Sequence, residues 1–424
     1  MEFFCLRHLF PAQRRCAEQQ DERNKMANLQ GANVNRGMNN AEQEVAVVGG
    51  SAAGFFTAYL LARASCRVRV LERAEELDPT PRTLIVTSRM RDLLGAAGEC
   101  SVVNEIRRFE LFTDGRAATV RLERPDLIIE RASLIRGLAL QAQQAGARVE
   151  LGRRFVSLES NGGGFSLTVE GSRDGSREQL PADTVVGADG AISKVAQSAG
   201  WPKQQTVPLI QAIVRLRSEC APDVVRVWFV PEDTPYFYWL IPHSPTHGAL
   251  GLIGEDGPQT RRCLETFLEK RCFTPLAFQG ARIPVYTGWV PAKRQVGTGQ
   301  VYLVGDAAGQ VKVTTVGGIV TGLRGALGVA QAILNDGHSR ELRALRRELD
   351  LHLLIRRTLH RFQQADYSRL VDLLNDSARR SLSVYSRDEV ARVLWHVCVR
   401  QPRLLLLGLR GILAKGSLSP RERG

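Results

Sequence analysis

Lysine is scarce in this chain. Seven of the 57 basic residues are lysine, so a formal net charge of +13 is carried almost wholly by arginine. No lysine stands between Gly54 and Ser193. A basic surface can attract nucleic acid, anionic membranes or phosphorylated substrates. No aromatic-interleaved basic stripe or nucleic-acid motif accompanies the charge, which argues against nucleic acid. The eight cysteines are scattered and form no CxxC pair. That speaks against a zinc site or a disulfide framework and for a reducing, cytoplasmic compartment. No Ser-His-Asp arrangement or metal-spaced cluster stands out, so no metal is expected. No apolar run approaches the ~20 residues that span a bilayer. Residues 1–43 are polar despite Phe3-Phe4 and lack the apolar core of a secretory signal. They read as a flexible tail, or as sequence upstream of a start at Met26 or Met38.

What is present is an ordinary globular composition, 44% hydrophobic and 24% charged over 424 residues, enough for two or three domains. Three separated stretches carry the chemistry. In the first, Val45-Ala46-Val47-Val48 runs as a strand into Gly49-Gly50-Ser51-Ala52-Ala53-Gly54, and a helix follows to about Ala64. The turn is GxSxxG, with small Ser51 at the second glycine position and Gly50 and Ala53 also small. A strand-turn-helix of this kind aims free N–H groups and a positive dipole end at a pyrophosphate. The next strand ends at Glu72-Arg73, and an acid some 20 residues beyond the first glycine suits the ribose hydroxyls of an adenosine. The second stretch is Val185-Val186-Gly187-Ala188-Asp189-Gly190. The third is Val301-Tyr302-Leu303-Val304-Gly305-Asp306-Ala307-Ala308-Gly309, followed by Gly317-Gly318-Ile319, which opens a helix to about Leu334. Asp306 suits ribityl hydroxyls, and that helix start suits the flavin edge where negative charge develops on reduction. Together the stretches predict one site for FAD.

These motifs, in this order, resemble the para-hydroxybenzoate hydroxylase superfamily of flavoproteins over roughly residues 45–335. Gly305-Asp306-Ala307-Ala308-Gly309-Gln310 with Gly317-Gly318-Ile319 is similar to the geranylgeranyl reductase branch. Aromatic hydroxylases usually carry His where Gly309 stands, and a proline-rich approach where this chain has Val313-Thr314-Thr315. The resemblance implies that Arg131, at the start of a helix, lies near FAD, and it offers Arg82 as a second arginine there. A Cys-Gly-Glu sequence common in the reductases is replaced by Thr83-Leu84-Ile85-Val86-Thr87-Ser88.

The aromatic segment Tyr236-Phe237-Tyr238-Trp239-Leu240-Ile241-Pro242-His243 resembles the Tyr-x-Trp-x-Phe-Pro motif of these reductases, with Phe237, Trp239 and Pro242 aligned. It resembles equally the Trp-x-Trp-x-Ile-Pro motif of flavin halogenases, but those enzymes use a lysine downstream of the turn, in the stretch where this chain has none. Strand alternation puts Phe237, Trp239 and Ile241 on one face, with Tyr236, Tyr238 and Leu240 on the other. Phe237, Tyr238, Trp239, Pro242 and His243 are the expected substrate-pocket residues, His243 with a role in proton delivery.

The expected architecture is α/β: a split Rossmann-like FAD-binding domain (44–90, 125–200, 295–335), an inserted β-rich substrate domain (91–124, 201–294) and a helical C-terminal region (336–424). The leading function is reduction of carbon–carbon double bonds in an isoprenoid or other apolar substrate. The alternative is an FAD monooxygenase acting on a hydrophobic or aromatic ring, with a halogenase or a membrane-associated electron-transfer flavoprotein behind it. No second dinucleotide turn follows the first, so NAD(P)H would dock transiently or a protein would donate electrons. Residues 400–415 hold a largely apolar run bracketed by arginine and lysine and suit peripheral contact with anionic lipid.

Overall fold

The computed structural model describes residues 43–79 and 81–413; residues 1–42, with the expected tail, lie outside the described residues. Glu44–Val48, with four of its five residues buried, forms an inner strand of a six-stranded sheet. Its neighbours are Thr184–Gly187 and Arg67–Leu71, both parallel to it. Gly299–Leu303 and Arg148–Glu150 extend the parallel set on either side, and Lys293–Val296 closes one edge antiparallel. A parallel sheet must be covered on both faces. The helices Ala52–Arg63, Arg131–Gln144 and Ile319–Leu334 cover one, packing Phe55, Leu61, Leu138 and Leu323 against Val45, Val47 and Val70. On the other lies a three-stranded antiparallel sheet, Arg153–Ser160, Phe165–Gly171 and Arg177–Ala182, whose Phe165, Leu167 and Val169 meet Ala46, Val48 and Val185.

The second layer is an eight-stranded sheet. Its middle, Thr206–Arg215, His247–Ile253, Tyr238–Pro242 and Val224–Trp228, pairs antiparallel throughout. Val224–Trp228 then pairs in parallel with Val102–Thr113, tying the two sequence segments of the substrate half together. One boundary differs from expectation. Thr83–Val86 pairs with Leu127–Glu130 at the far edge of this sheet, so residues expected in the cofactor half belong to the substrate sheet. The reason is the length of Arg116–Glu130, which continues unbroken from the substrate sheet to the start of helix Arg131–Gln144.

The C-terminal region is helical: Arg340–Leu359, Gln364–Leu373, Asp376–Val384, Val390–Arg400 and Pro402–Leu413. Residues 414 and 415 of the expected lipid-contacting stretch lie outside the described residues.

Candidate functional site

The first turn is a cradle that only small residues can form. Gly49 has a φ of 108°, and a Cβ there would lie 2.5 Å from the Ala188 carbonyl oxygen. At Gly50 a Cβ would come within 2.9 Å of Glu72 Oε2, and at Gly54 it would overlap the Gly49 carbonyl oxygen. The first and second motifs therefore touch, and the helix N-terminus sits tight against the sheet. Ser51 caps that helix, its Oγ accepting the Gly54 N–H at 3.1 Å. Glu72 lies at the expected strand end, where its carboxylate accepts the Gly50 N–H at 2.6 Å and the Ala74 N–H at 2.9 Å. Arg73 beside it is exposed. Asp189 accepts from the Ser193 hydroxyl at 2.5 Å and from the N–H groups of Lys194 and Val195 at 2.7 and 3.1 Å. Its carboxylate is spent on building the turn, while Gly190, with a φ of 86°, borders open space.

In the third motif Asp306 is half-buried between buried Gly305 and Ala307. Gly305 and Gly309 bracket it, each with a φ of 64°. Ala53 of the first turn packs 3.1 Å from where a Gly305 Cβ would stand. Burial pushes the Asp306 carboxyl above its ordinary range, and the charges of Arg82 and Arg131 pull it back. These two arginines, far from Asp306 in sequence, are thus brought together around it; the Arg131 N–H also donates to the Arg82 carbonyl at 3.0 Å. Arg82 Nε is buried without a hydrogen-bond partner. Glu130 orders the corner by capping helix Arg131–Gln144, accepting from Ala132 and Ser133 N–H at 2.9 and 2.6 Å. Gly318 caps helix Ile319–Leu334, and a Cβ there would lie 3.2 Å from Asp306 Oδ1. At Gly317 a Cβ would make only ordinary contacts.

The aromatic segment divides. Trp239 and Ile241 face inward with Ile106, Ile128, Val225 and Val227, and the cluster reaches Phe237 and Val316 of the loop before Gly317. Trp239 Nε1 is buried without a partner. Val316 is β-branched yet has a φ of 52°, a conformation that costs such a residue roughly 1–2 kcal/mol. Tyr238 departs from the expected pocket. It points to the opposite face, stacks on Phe267 of helix Gly257–Lys270 at 4.0 Å, and donates to Asp233 at 2.8 Å. Tyr236 breaks the alternation and joins the inward cluster, because the strand starts only at Tyr238. Pro242 ends that strand, its carbonyl accepting from Asn104 at 3.0 Å. His243 Nε2 shares a hydrogen bond with the Thr83 hydroxyl, next to Arg82. Burial, then His247, holds the His243 pKa down to about 4, so it is a neutral imidazole at neutral pH.

Residues 42–335 match the family described as FAD binding domain. The chain belongs to this family. It is an FAD-dependent oxidoreductase. It is 31% identical over 300 residues to digeranylgeranylglycerophospholipid reductase 1 of Methanopyrus kandleri, an alignment covering 66% of this chain and 78% of that protein. Its fold is similar to a geranylgeranyl bacteriochlorophyll reductase-like protein of Thermoplasma acidophilum, with a TM-score of 0.71, 17% identity and coverage of 86% of this chain and 98% of that one. The flavin-dependent monooxygenase PieE has a similar fold at a TM-score of 0.59, with 18% identity and coverage of 84% and 72%.

The flavoprotein's own residues fit the cofactor. The tight glycine turn sets a helix start against the sheet, the arrangement that receives a pyrophosphate, and Arg82 Nε is a buried donor without an acceptor. Sequence reasoning missed the groups that hold the third motif in shape. Gln204 Nε2 donates to the Ala307 carbonyl at 2.5 Å, and Gln310 Oε1 accepts the Gly305 N–H at 2.8 Å. Lys312 pairs with Asp388 of the C-terminal region, and Asp388 also accepts from the Thr87 hydroxyl. Only Gln310 had a local signal, its place directly after the motif.

Proposed function

We propose that this flavoprotein reduces carbon–carbon double bonds in an isoprenoid or similarly apolar substrate. The observation that carries the reading is the apolar cluster of Phe237, Trp239, Ile241, Ile106 and Val227, packed against the loop before helix Ile319–Leu334 at Val316. A site bordered by this cluster favours an extended hydrocarbon over a charged or hydroxylated substrate, since each buried CH₂ gains about 0.8 kcal/mol. The Methanopyrus kandleri relative, whose name specifies an isoprenoid glycerophospholipid, supports the substrate class.

Bound FAD supplies the hydride for the alkene. In this reading the start of helix Ala52–Arg63 holds the pyrophosphate with Glu72 on the adenosine side. Asp306, Arg82 and Arg131 hold the ribityl and phosphate region, and the turn at Gly317-Gly318 faces the ring. Trp239 and Phe237 exclude water over the reacting face. His243, neutral and bonded to Thr83, is not an imidazolium acid, and water supplies the one proton that accompanies the hydride. NAD(P)H or a partner protein serves as transient reductant. Peripheral membrane contact is part of the proposal. It is supported by exposed Trp395, Val399, Leu405 and Leu406 beside exposed Arg392, Arg400 and Arg403. No helix among the described residues is long and apolar enough to cross a membrane.

The test is anaerobic. The flavoprotein is reduced chemically, an unsaturated isoprenoid glycerophospholipid is added, and the flavin spectrum is followed. Reoxidation without oxygen, with loss of a double bond by mass spectrometry, is expected. Flavin that stays reduced with that lipid until oxygen enters, and then hydroxylates it, would overturn the reading in favour of a monooxygenase.

A further inference from the structure

Lys312 is the one buried lysine among those described. It lies in the loop between the Gly-Asp turn and helix Ile319–Leu334, and that loop closes on itself. The Lys312 N–H donates to the Gly317 carbonyl at 3.2 Å, and the Lys312 carbonyl accepts the Val316 N–H at 2.7 Å. The side chain folds under the turn: a Cβ on Gly317 would lie 3.4 Å from Lys312 Cε and 3.9 Å from Nζ. The ammonium thus sits beside the turn that leads into the helix, whose N-terminus is its positive dipole end.

Its counter-charge comes from another part of the molecule. Asp388 lies between helices Asp376–Val384 and Val390–Arg400 of the C-terminal cap, and the two side chains are 5% and 0% exposed. Burial alone would push the Asp388 carboxyl up. The Lys312 charge and hydrogen bond, with the Thr87 hydroxyl, outweigh it and hold the pKa to about 2. The surrounding buried charges are matched separately: Arg387 pairs with Asp126, and Arg324 with Glu341 and Glu348. Nearby His352 is neutral, its pKa held to about 3 by burial and then by Lys312. Replacing a buried pair by apolar residues is often neutral or stabilising, so stability is a weak explanation for this one.

We propose that Lys312 and Asp388 together set the reduction potential of the bound flavin, the lysine favouring the reduced form and the cap's aspartate limiting that effect. This rests on the reading that the Gly317-Gly318 turn faces the flavin ring. A fixed cation at this turn stabilises the negative charge that two-electron reduction adds. A buried anion behind it subtracts from that field, in proportion to how closely the cap is docked. The cap is thereby a positioning element for flavin electrostatics.

The experiment measures the flavin midpoint potential of the holoprotein by dye-linked reductive titration, with FAD affinity measured separately. Asp388→Asn is expected to favour reduced over oxidised flavin by about tenfold, a rise of about 30 mV for a two-electron couple. Lys312→Met is expected to shift it by a similar factor the other way. Lys312→Arg, which keeps the charge, should stay within about threefold of the parent and serves if the Met variant fails to fold, read then beside Asp388→Asn. Shifts of the same sign in the Asn and Met variants, or no shift in Asp388→Asn with the cap still protease-resistant, would overturn the proposal. Failure of the underlying cofactor reading looks different: Asp306→Ala would then keep full flavin affinity, whatever the potentials do.

Discussion

Gly54→Ala adds one methyl group at the point where the first and second motifs meet. On helix propensity alone it should stabilise Ala52–Arg63 by about 1 kcal/mol. The surroundings oppose this: the new Cβ would overlap the Gly49 carbonyl oxygen and stand 3.0 Å from Ala188 Cβ. Overpacking of this kind costs roughly 1–3 kcal/mol. Because the clash is with backbone, relief requires the helix start to back away from the sheet, and the N–H groups aimed at the pyrophosphate move with it. Hydrogen bonds to a charged group are worth about 1.5–3 kcal/mol each, so weakening one lowers FAD affinity by about tenfold to a hundredfold. Gly54→Val, with a branched side chain, should abolish flavin retention. The assay is fluorescence titration of deflavinated protein with FAD, alongside thermal melting. Gly163→Ala is the control, since a Cβ there meets nothing within 4 Å. Unchanged FAD affinity and Tm in Gly54→Val would refute the reasoning.

Asp306→Ala should lose flavin by at least tenfold, because it removes a half-buried acceptor and leaves Arg82 and Arg131 facing each other uncompensated; flavin occupancy after gel filtration checks it. Trp239→Ala should keep flavin but weaken turnover of an apolar substrate, visible as a higher KM; identical steady-state kinetics would return the indole to a purely packing role. His352 supplies a pH signature: its folded pKa of about 3 lies below the ordinary 6.5, so the unfolded chain takes the proton first. Its contribution to stability is complete above about pH 6.5 and is lost as pH falls towards 3. His352→Gln should therefore flatten the fall of Tm between about pH 7 and 4.5, and a slope identical to the parent's would contradict the assignment.

The cofactor half was legible because its requirements are local. Gly49 and Gly54 stand where any side chain would strike backbone, so the turn is written in residue type and spacing. Arg82 and Arg131 became meaningful only through the family resemblance, since nothing in their spacing announces that they converge on Asp306. The substrate half was harder. Alternation sorts Trp239 from Tyr238 but does not say which face carries helix Gly257–Lys270, under which the Tyr238 ring packs. It also failed at Tyr236, which precedes the strand. The pairing of Thr83–Val86 with Leu127–Glu130 is a long-range choice that no local pattern encodes. The Lys312–Asp388 pair is of the same kind, joining a loop and a cap 76 residues apart.

The order of the six-stranded sheet has a consequence for biosynthesis. Thr184–Gly187 pairs on one side with Glu44–Val48, made earlier, and on the other with Gly299–Leu303, made much later. While a ribosome adds the intervening chain at ~5–20 residues per second, the Thr-Val-Val-Gly strand presents an open, apolar edge for several seconds. In the proposed site, FAD retention waits on Asp306 and the helix after it, which follow Gly299–Leu303 in the chain, so cofactor capture falls late in synthesis.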